Sequence, residues 1–204
     1  MVCAGSLLGI RMSTPASFPV GKVEFLTVHP MTFTEFLWAS SEEKLVQFID
    51  RIDTLEPIPD IFFNPLREKL KMYFITGGMP EAVRALTGDT DVAEVQKVLR
   101  DILNAYELDF SKHAPVKDMA KLGAIWSSIP SQLSRENKKF IYRAVKSGAR
   151  AREYEDALTW LCDAGLVYKI YRNTKPVLPV AAYDDLDAFK LYLVDVGLLR
   201  RLAL

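Results

Sequence analysis

The sequence has few of the residues that bind metals or form disulfides. Its 204 residues include two cysteines, Cys3 and Cys162, and two histidines, His29 and His113. These positions are isolated from one another, whereas structural zinc sites need closely spaced sets of such ligands. Buried thiols in a reducing compartment are the common state for a chain with so few cysteines. We therefore predict no metal site and no redox pair.

The sequence also has no net charge and no long apolar run. Its 26 basic and 26 acidic residues cancel, so only a local cluster of charge can attract nucleic acid. No apolar run approaches the ~20 residues that span a bilayer, and the first ten residues lack the basic start of a signal peptide. We therefore expect a cytoplasmic protein without a membrane partner.

A phosphate-binding P-loop is absent as well. The motif G-x-x-x-x-G-K-[ST] cradles phosphates with backbone N–H groups, whereas Gly21-Lys22-Val23 has valine in place of the hydroxyl residue. No apolar strand ends in Asp-Glu to hold magnesium. Glu107 and Asp109 are two residues apart and cannot share a helix face, which excludes them as an acid–base pair. We predict no catalytic residue and no cofactor in this chain.

The clearest pattern present is a helix followed by a strand in Ala149–Arg172. Apolar residues recur at helical spacing as far as Leu161, and Gly165 stands where a helix commonly ends. Residues 166–171 then alternate with period two, as a half-buried strand does. A basic helix followed by such a strand is typical of the second half of a winged helix-turn-helix, whose helix can enter a DNA groove. The same helix can instead dock a protein or only pack, and the pattern leaves these alternatives open.

The remaining patterns predict mostly helices. Thr32 or Thr34 is expected to cap a short helix, and Ser40 with Glu43 is expected to form a capping box. Ile129–Ser134 is predicted to be a turn, and the alternation in Phe140–Val145 predicts a strand. The fold class expected is therefore mostly α with short β elements, an α+β protein. The predicted helices are Phe33–Ala39, one after Ser40, Leu66–Thr76, one starting at Pro80, Asp91–Lys112, and one starting at Asp118 as its cap.

A local cluster of basic residues lies between Ser134 and Arg152. Within it Glu136 is the one acidic side chain, and Phe140 and Tyr142 lie among the cations. Lys and Arg in this pattern contact nucleic-acid phosphates, although a solvated basic face is common on proteins that never bind DNA. The candidate nucleic-acid contacts are Arg135, Lys138, Lys139, Arg143, Lys146, Arg150 and Arg152.

Several motifs occur in an order that points to one family. They include GSLLGI, SFPVGKVEFL, HPMTFTEFL, Gly-Gly-Met-Pro at 77–80, Tyr106-x-x-Asp109-Phe110, Pro130-Ser-Gln-Leu and Phe189–Leu199. In this order they resemble bacterial AAA-type P-loop ATPases that carry a C-terminal domain of unknown function. The resemblance covers nearly all 204 residues, and its motifs are more specific together than singly.

The resemblance implies nucleotide-sensing roles for a few residues. Ser6 would be a sensor near the nucleotide γ-phosphate, and Lys22 would reach a phosphate. Gly77, Gly78 and Pro80 would belong to a lid element near the nucleotide base. Each has a simpler explanation, because Ser6 can cap a turn, Lys22 can start a strand, and Gly-Gly can end one helix before Pro80 begins the next. ATP and magnesium would be cofactors of longer relatives only.

The resemblance also implies three parts. Residues 1–40 would be a remnant of the P-loop ATPase core, 41–116 a helical lid, and 117–204 a winged-helix-like C-terminal domain. The Walker motifs would lie before residue 1, and in longer relatives an endonuclease-like domain would continue beyond Leu204. The chain is therefore expected to be truncated at both ends, and Asp195 is expected to be a turn or structural acid rather than a metal ligand.

These observations favour a nonenzymatic fragment of an AAA-type ATP-binding protein. One alternative is a DNA-binding winged-helix module. Another is a protein-docking module, in which the basic helix meets an acidic partner. Strong salt dependence of DNA binding would favour the first alternative, because phosphate contacts release counterions.

Overall fold

Helices make up most of the fold, and a small antiparallel sheet follows them. The computed structural model describes residues 24, 26–53, 56–88 and 91–204. Within these ranges a series of helices leads to a two-stranded sheet, which confirms the predicted fold class, mostly α with short β elements. By their contacts, Val28–Ala105 with Asp195–Leu204 form a first unit, and Tyr106–Val194 form a second. The domain boundaries implied at residues 40 and 116 stay predictions.

The first unit consists of helices around an apolar cluster. Leu37, Val46 and Leu66 are buried in this cluster, and Phe48 stacks beside it on Phe62 with ring centroids 4.0 Å apart. Burial of each such side chain is worth about 1.5–3 kcal/mol, which is the main force holding short helices together. The helices are α1 (Phe33–Ala39), α2 (Glu43–Ile49), α3 (Asp60–Thr76), α4 (Pro80–Thr87), the first part of α5 (Val92–His113), and α9 (Val196–Leu202).

The start of α1 is a capping box. The Thr32 N–H donates to Glu35 Oε2 at 2.7 Å, and the Glu35 N–H donates to Thr32 Oγ1 at 3.3 Å, so two otherwise unpaired backbone donors are satisfied. The prediction of a helix over Phe33–Ala39 is confirmed, with Thr32 as its cap. The capping box predicted for Ser40 and Glu43 is wrong, because α2 follows Glu42 and has no side-chain cap bond.

The second unit places three helices before the sheet. Trp126 is fully buried at its centre, and Phe110 meets the rings of Trp126 and Trp160 edge-on at centroid distances of 5.6 and 5.7 Å. Such edge-to-face pairs add about 0.5–1.5 kcal/mol beyond area burial. The elements are α6 (Val116–Leu133), α7 (Tyr142–Val145), α8 (Ala151–Asp163), β1 (Val167–Asn173), a 3-10 turn (Val180–Tyr183) and β2 (Asp184–Leu193).

The sheet joins β1 and β2 in antiparallel register. Val167 lies opposite Leu193 and Tyr171 lies opposite Phe189, with an irregularity after Tyr171. Side chains alternate between more and less buried positions along β1, which confirms the period-two prediction for this strand. The Phe140 N–H donates to the Phe189 carbonyl at 2.9 Å, so the chain before α7 lies beside β2.

Two predictions near the middle of the second unit are wrong. The turn predicted at Ile129–Ser134 is the end of α6, which continues through Pro130 to Leu133. Proline removes one helical hydrogen bond, but Ile129 and Gln132 are buried on the face that continues the apolar stripe of the helix. The strand predicted at Phe140–Val145 is the short helix α7 preceded by extended chain, and Phe140 alone makes a strand-like bond.

The start of α6 also differs from the prediction. The helix begins at Val116 after Pro115, so Asp118 lies inside the first turn rather than at the cap. Asp118 is buried and accepts a hydrogen bond from Lys121 Nζ at 2.9 Å. Its carboxylate still lies near the positive end of the helix dipole, where an acid is favourable.

Candidate functional site

The predicted nucleic-acid contacts lie in residues 135–152, here called the basic segment. It follows α6, includes α7 and ends in the first turn of α8. All of the predicted cations in it are exposed. Across residues 24, 26–53, 56–88 and 91–204, no ion pair within 4.0 Å involves any of them. None of them is therefore held in an ion pair by a carboxylate of the described chain.

Buried residues anchor this exposed segment. The Ile141 N–H donates to Gln132 Oε1 at 2.6 Å, and Gln132 Nε2 donates to Ser128 Oγ at 3.1 Å inside α6. Phe140 is buried and stacks on Phe189 with centroids 5.5 Å apart. The segment is thus fixed at its middle by a buried amide and a buried ring, while its cations point to solvent.

The helix α8 is acidic on its exposed surface. Of its charged side chains Arg152 is the one cation, and the acids are Glu153, Glu155, Asp156 and Asp163. The inference from sequence that this helix is basic is therefore wrong. Apart from Arg152, the basic residues of the segment precede the helix, which begins at Ala151. A helix with this charge repels the phosphates that line a DNA groove.

A polar network ties the basic segment to α8 and β1. Tyr142 Oη donates to Glu155 Oε2 at 2.7 Å, and Lys169 Nζ donates to Glu155 Oε1 at 2.9 Å. Burial raises the pKa of Tyr142, and the bond to Glu155 adds to this effect. Burial alone would raise the pKa of Glu155, but the bonds from Tyr142 and Lys169 outweigh it and the pKa is lowered. Lys169 Nζ also lies 4.4 Å from the ring centroid of Phe189, a favourable cation–π distance.

An open groove of about 520 Å³ lies where the basic segment passes the sheet. Three cations line it, Lys139 from the basic segment, Arg172 from β1 and Lys190 from β2, and Asn137 lies beside them. Lys139 is among the contacts predicted from the sequence, whereas Arg172 and Lys190 are not. Both belong to strands with alternating burial, and their charge can be read from the sequence. The pairing that brings them beside Lys139 can be seen only in the structure.

The predicted nucleotide-sensing glycines lie in a different place, here called the glycine junction. It consists of Gly77, Gly78, Met31, Gly197 and Asp195, all in the first unit. The Met31 N–H donates to the Gly78 carbonyl at 2.7 Å, and Gly77 has φ +72°, a value that favours glycine. A Cβ on Gly78 would lie 2.0 Å from the Met31 carbonyl oxygen. These contacts within the chain account for both glycines.

Asp195 completes the glycine junction as the cap of α9. Its Oδ1 accepts the Leu198 N–H at 2.9 Å and its Oδ2 accepts the Gly78 N–H at 2.6 Å. The structural role expected for Asp195 is confirmed. Burial raises the pKa of this carboxyl, while the backbone N–H groups act in the opposite direction. Pro80 begins α4 at its first position, as predicted.

The other predicted sensing residues, Ser6 and Lys22, lie outside the described residues. Within the described ranges no group of three or more His, Cys, Asp or Glu side chains could hold a metal ion. Cys162 has a free thiol, and burial raises its pKa. Of the helices described, none combines the length and the apolar character needed to cross a membrane.

Comparison with known proteins places these features in a family. Residues 67–204 match the family described as "Domain of unknown function (DUF8612)". The chain belongs to the DUF8612 family. No curated protein and no solved structure matches the chain. The DUF8612 match contains the basic segment and the groove, together with every residue of the glycine junction except Met31.

Proposed function

We propose that the chain is a nonenzymatic nucleic-acid-binding module that contacts the phosphate backbone through the basic segment. The observation that carries this proposal is the set of seven exposed cations in residues 135–152 without a carboxylate partner in the described chain. Exposed cations contribute little to folding. Phosphate contacts by the same residues release counterions and so favour binding.

The order of elements in the second unit supports the same proposal. Three helices, α6, α7 and α8, precede the antiparallel strands β1 and β2, which is the order of a winged helix-turn-helix. The anchoring of Phe140 and Gln132 fixes the cations relative to that core. Contacts of this kind position a protein on a duplex without reading its bases, so the expected binding is tolerant of sequence.

The relationship to AAA-type ATPases stays a second proposal, about ancestry. The Gly-Gly-Met-Pro element has partners within the chain, which leaves no need for a nucleotide to explain Gly77 or Gly78. We therefore propose no nucleotide site at these residues. A docking role, in which an acidic protein surface replaces the phosphates, is an outcome of the same test.

The test is a salt series of equilibrium binding to a fluorescent duplex of about 20 base pairs and to its single strands. We expect affinity to fall steeply and linearly on logarithmic axes as salt rises. A variant with Arg143, Lys146, Arg150 and Arg152 changed to Gln should lower the salt slope by up to about 4, roughly one for each lost contact. No binding to duplex or single strands at low salt would overturn the proposal.

A matched control variant removes the same amount of positive charge at positions outside the basic segment. Lys44, Arg51, Arg67 and Arg100 are exposed and lie outside the basic segment. Changing these four to Gln removes the same charge, one lysine and three arginines, and should leave the salt slope near that of the unchanged protein. Equal losses in both variants would mean that net charge, rather than the basic segment, governs binding.

A further inference from the structure

We infer that the groove between Asn137–Lys139 and the sheet binds a phosphoryl group, and that the nucleic-acid backbone follows this groove and the basic segment rather than α8. The inference rests on the proposed function and specifies where the nucleic-acid backbone lies on the protein. The groove has about 520 Å³, within the usual range of ligand sites.

The described residues that line the groove include cations but no carboxylate that would repel phosphate. Lys139, Arg172 and Lys190 line it, and none of its described lining residues is acidic. Arg172 is held by Asp185 in an ion pair, and the charge of Lys139 also acts on this carboxylate and helps to lower its pKa. Within the described chain neither Lys139 nor Lys190 has a carboxylate within 4.0 Å. Ammonium groups bind phosphate as point charges and tolerate several geometries.

Backbone and side-chain contacts hold the two walls in place. On one wall, the Lys139 N–H donates to Asn137 Oδ1 at 3.1 Å, which leaves the Asn137 amide nitrogen as the donor end of that side chain. On the other, Lys190 lies opposite Ile170 in the sheet register. The bond from Phe140 to Phe189 at 2.9 Å joins the two walls. The cations therefore face a site whose width is set by packed elements.

The charge of α8 explains why the path excludes that helix. Glu153 and Asp163 lie at its two ends, both exposed and with no ion pair in the described chain. A duplex groove that received α8 would place these carboxylates among phosphates, and like charges at close range oppose binding. The groove and the basic segment offer a route with the opposite sign of charge.

The first experiment compares two double variants in the duplex-binding assay at about 100 mM salt. Changing Lys139 and Lys190 to Gln should weaken binding by on the order of tenfold or more, because two phosphate contacts are lost. The control changes Lys112 and Lys175 to Gln, since both are exposed in the same unit but neither lines the groove. A groove variant that binds like this control, while the basic-segment variant is weakened, would overturn the inference and leave the proposed function standing.

The second experiment changes Glu153 to Gln and Asp163 to Asn. If the nucleic-acid backbone avoids α8, this change should raise duplex affinity by a smaller factor than the groove variant lowers it. The preference for base sequence should not change. A rise of tenfold or more with a new preference for particular base pairs would place α8 in the DNA and overturn the path.

The third experiment titrates the isotope-labelled protein with pyrophosphate and follows side-chain signals of Lys139 and Lys190 by NMR. Shifts that saturate, and that are absent in the groove variant, support a phosphoryl site even if no nucleic acid binds; the source would then be a small phosphorylated ligand. No shift at either lysine, together with unchanged duplex affinity in the groove variant, would overturn the site.

Discussion

The glycine junction and the basic segment differ in whether their candidate residues have partners within the described chain. In the glycine junction, Gly77 and Gly78 already contact Asp195 and Met31, and a Cβ at either glycine would meet these atoms within 3 Å. In the basic segment the cations are exposed and have no carboxylate partner in the described chain. Residues whose partners lie within the chain are explained by folding. Charges that folding does not use remain available to a partner outside the chain.

The largest expected effect is at the glycine junction. In Gly78→Ala the new Cβ would lie 2.0 Å from the carbonyl oxygen and 2.6 Å from the nitrogen of Met31. Because these are backbone atoms, the chain has to move, and we expect a loss of about 3 kcal/mol in the free energy of unfolding, measured with urea. Gly123→Ala is the control, since a Cβ there meets nothing within 4 Å. It should be neutral or stabilising by up to about 1 kcal/mol. Equal stability of the two variants would remove the structural explanation for Gly78.

The next effect concerns the carboxylate of the glycine junction. Asp195→Ala leaves the N–H groups of Gly78 and Leu198 without their acceptors and removes the cap of α9. A lost cap together with a buried unpaired donor should cost about 2–3 kcal/mol in urea unfolding. Asp195→Asn keeps one acceptor oxygen and should recover part of this loss. A cost below about 1 kcal/mol for the alanine variant would show that the cap is dispensable.

A smaller effect is expected where the basic segment is anchored. Gln132→Ala removes the acceptor of the Ile141 N–H and should cost about 1–2 kcal/mol. Duplex affinity should also fall, although no charge changes, because the cations lose their fixed placement. Gln47→Ala, on an exposed glutamine of α2, should stay within about 0.5 kcal/mol. Unchanged affinity in Gln132→Ala would mean that the charges act without a fixed arrangement.

The smallest effect concerns Glu155 and depends on pH. Its folded pKa is lowered below about 4.5 by the bonds from Tyr142 and Lys169, against the effect of burial. The contribution of Glu155 to the free energy of unfolding is therefore present above the ordinary glutamate pKa. It is lost as the pH falls through the lowered pKa of the folded state. Glu155→Gln should cost about 0.5–1 kcal/mol at neutral pH, since the site is partly exposed, and the difference should vanish in strong acid. Glu136→Gln, on an exposed residue of the basic segment, is the control, and at neutral pH its stability should stay within about 0.5 kcal/mol of that of the unchanged protein. A difference that persists in acid would contradict this assignment.

Local patterns in the sequence predicted much of the fold correctly. Thr32 and Glu35 carry a capping signal within four residues, and α1 has the predicted bounds. The apolar spacing before Gly165 and the alternation after it correspond to α8 and β1. These elements are determined by contacts between near neighbours in the chain, which periodicity detects.

The failures occurred where contacts between elements outweighed local signals. Pro130 is a turn signal, yet burial of Ile129 and Gln132 extends α6 past it. Phe140–Val145 alternates like a strand, but Phe140 alone reaches β2 and the following residues form α7. The acidic character of α8 was missed although its four acids are visible in the sequence, because the cations of the preceding segment were assigned to the helix.

The sequence by itself determined the mostly helical fold class, the helix and strand around Gly165, and the presence of a basic cluster. Only the tertiary structure decided what these charges and glycines meet. Gly78 and Asp195 are 117 residues apart yet share a hydrogen bond. Lys139 lies beside Arg172 and Lys190 only because β1 pairs with β2 and the Phe140 N–H bonds to the Phe189 carbonyl. Composition and periodicity depend on neighbours within a few residues. The glycine junction and the groove depend on the pairing of distant segments, which local patterns do not encode.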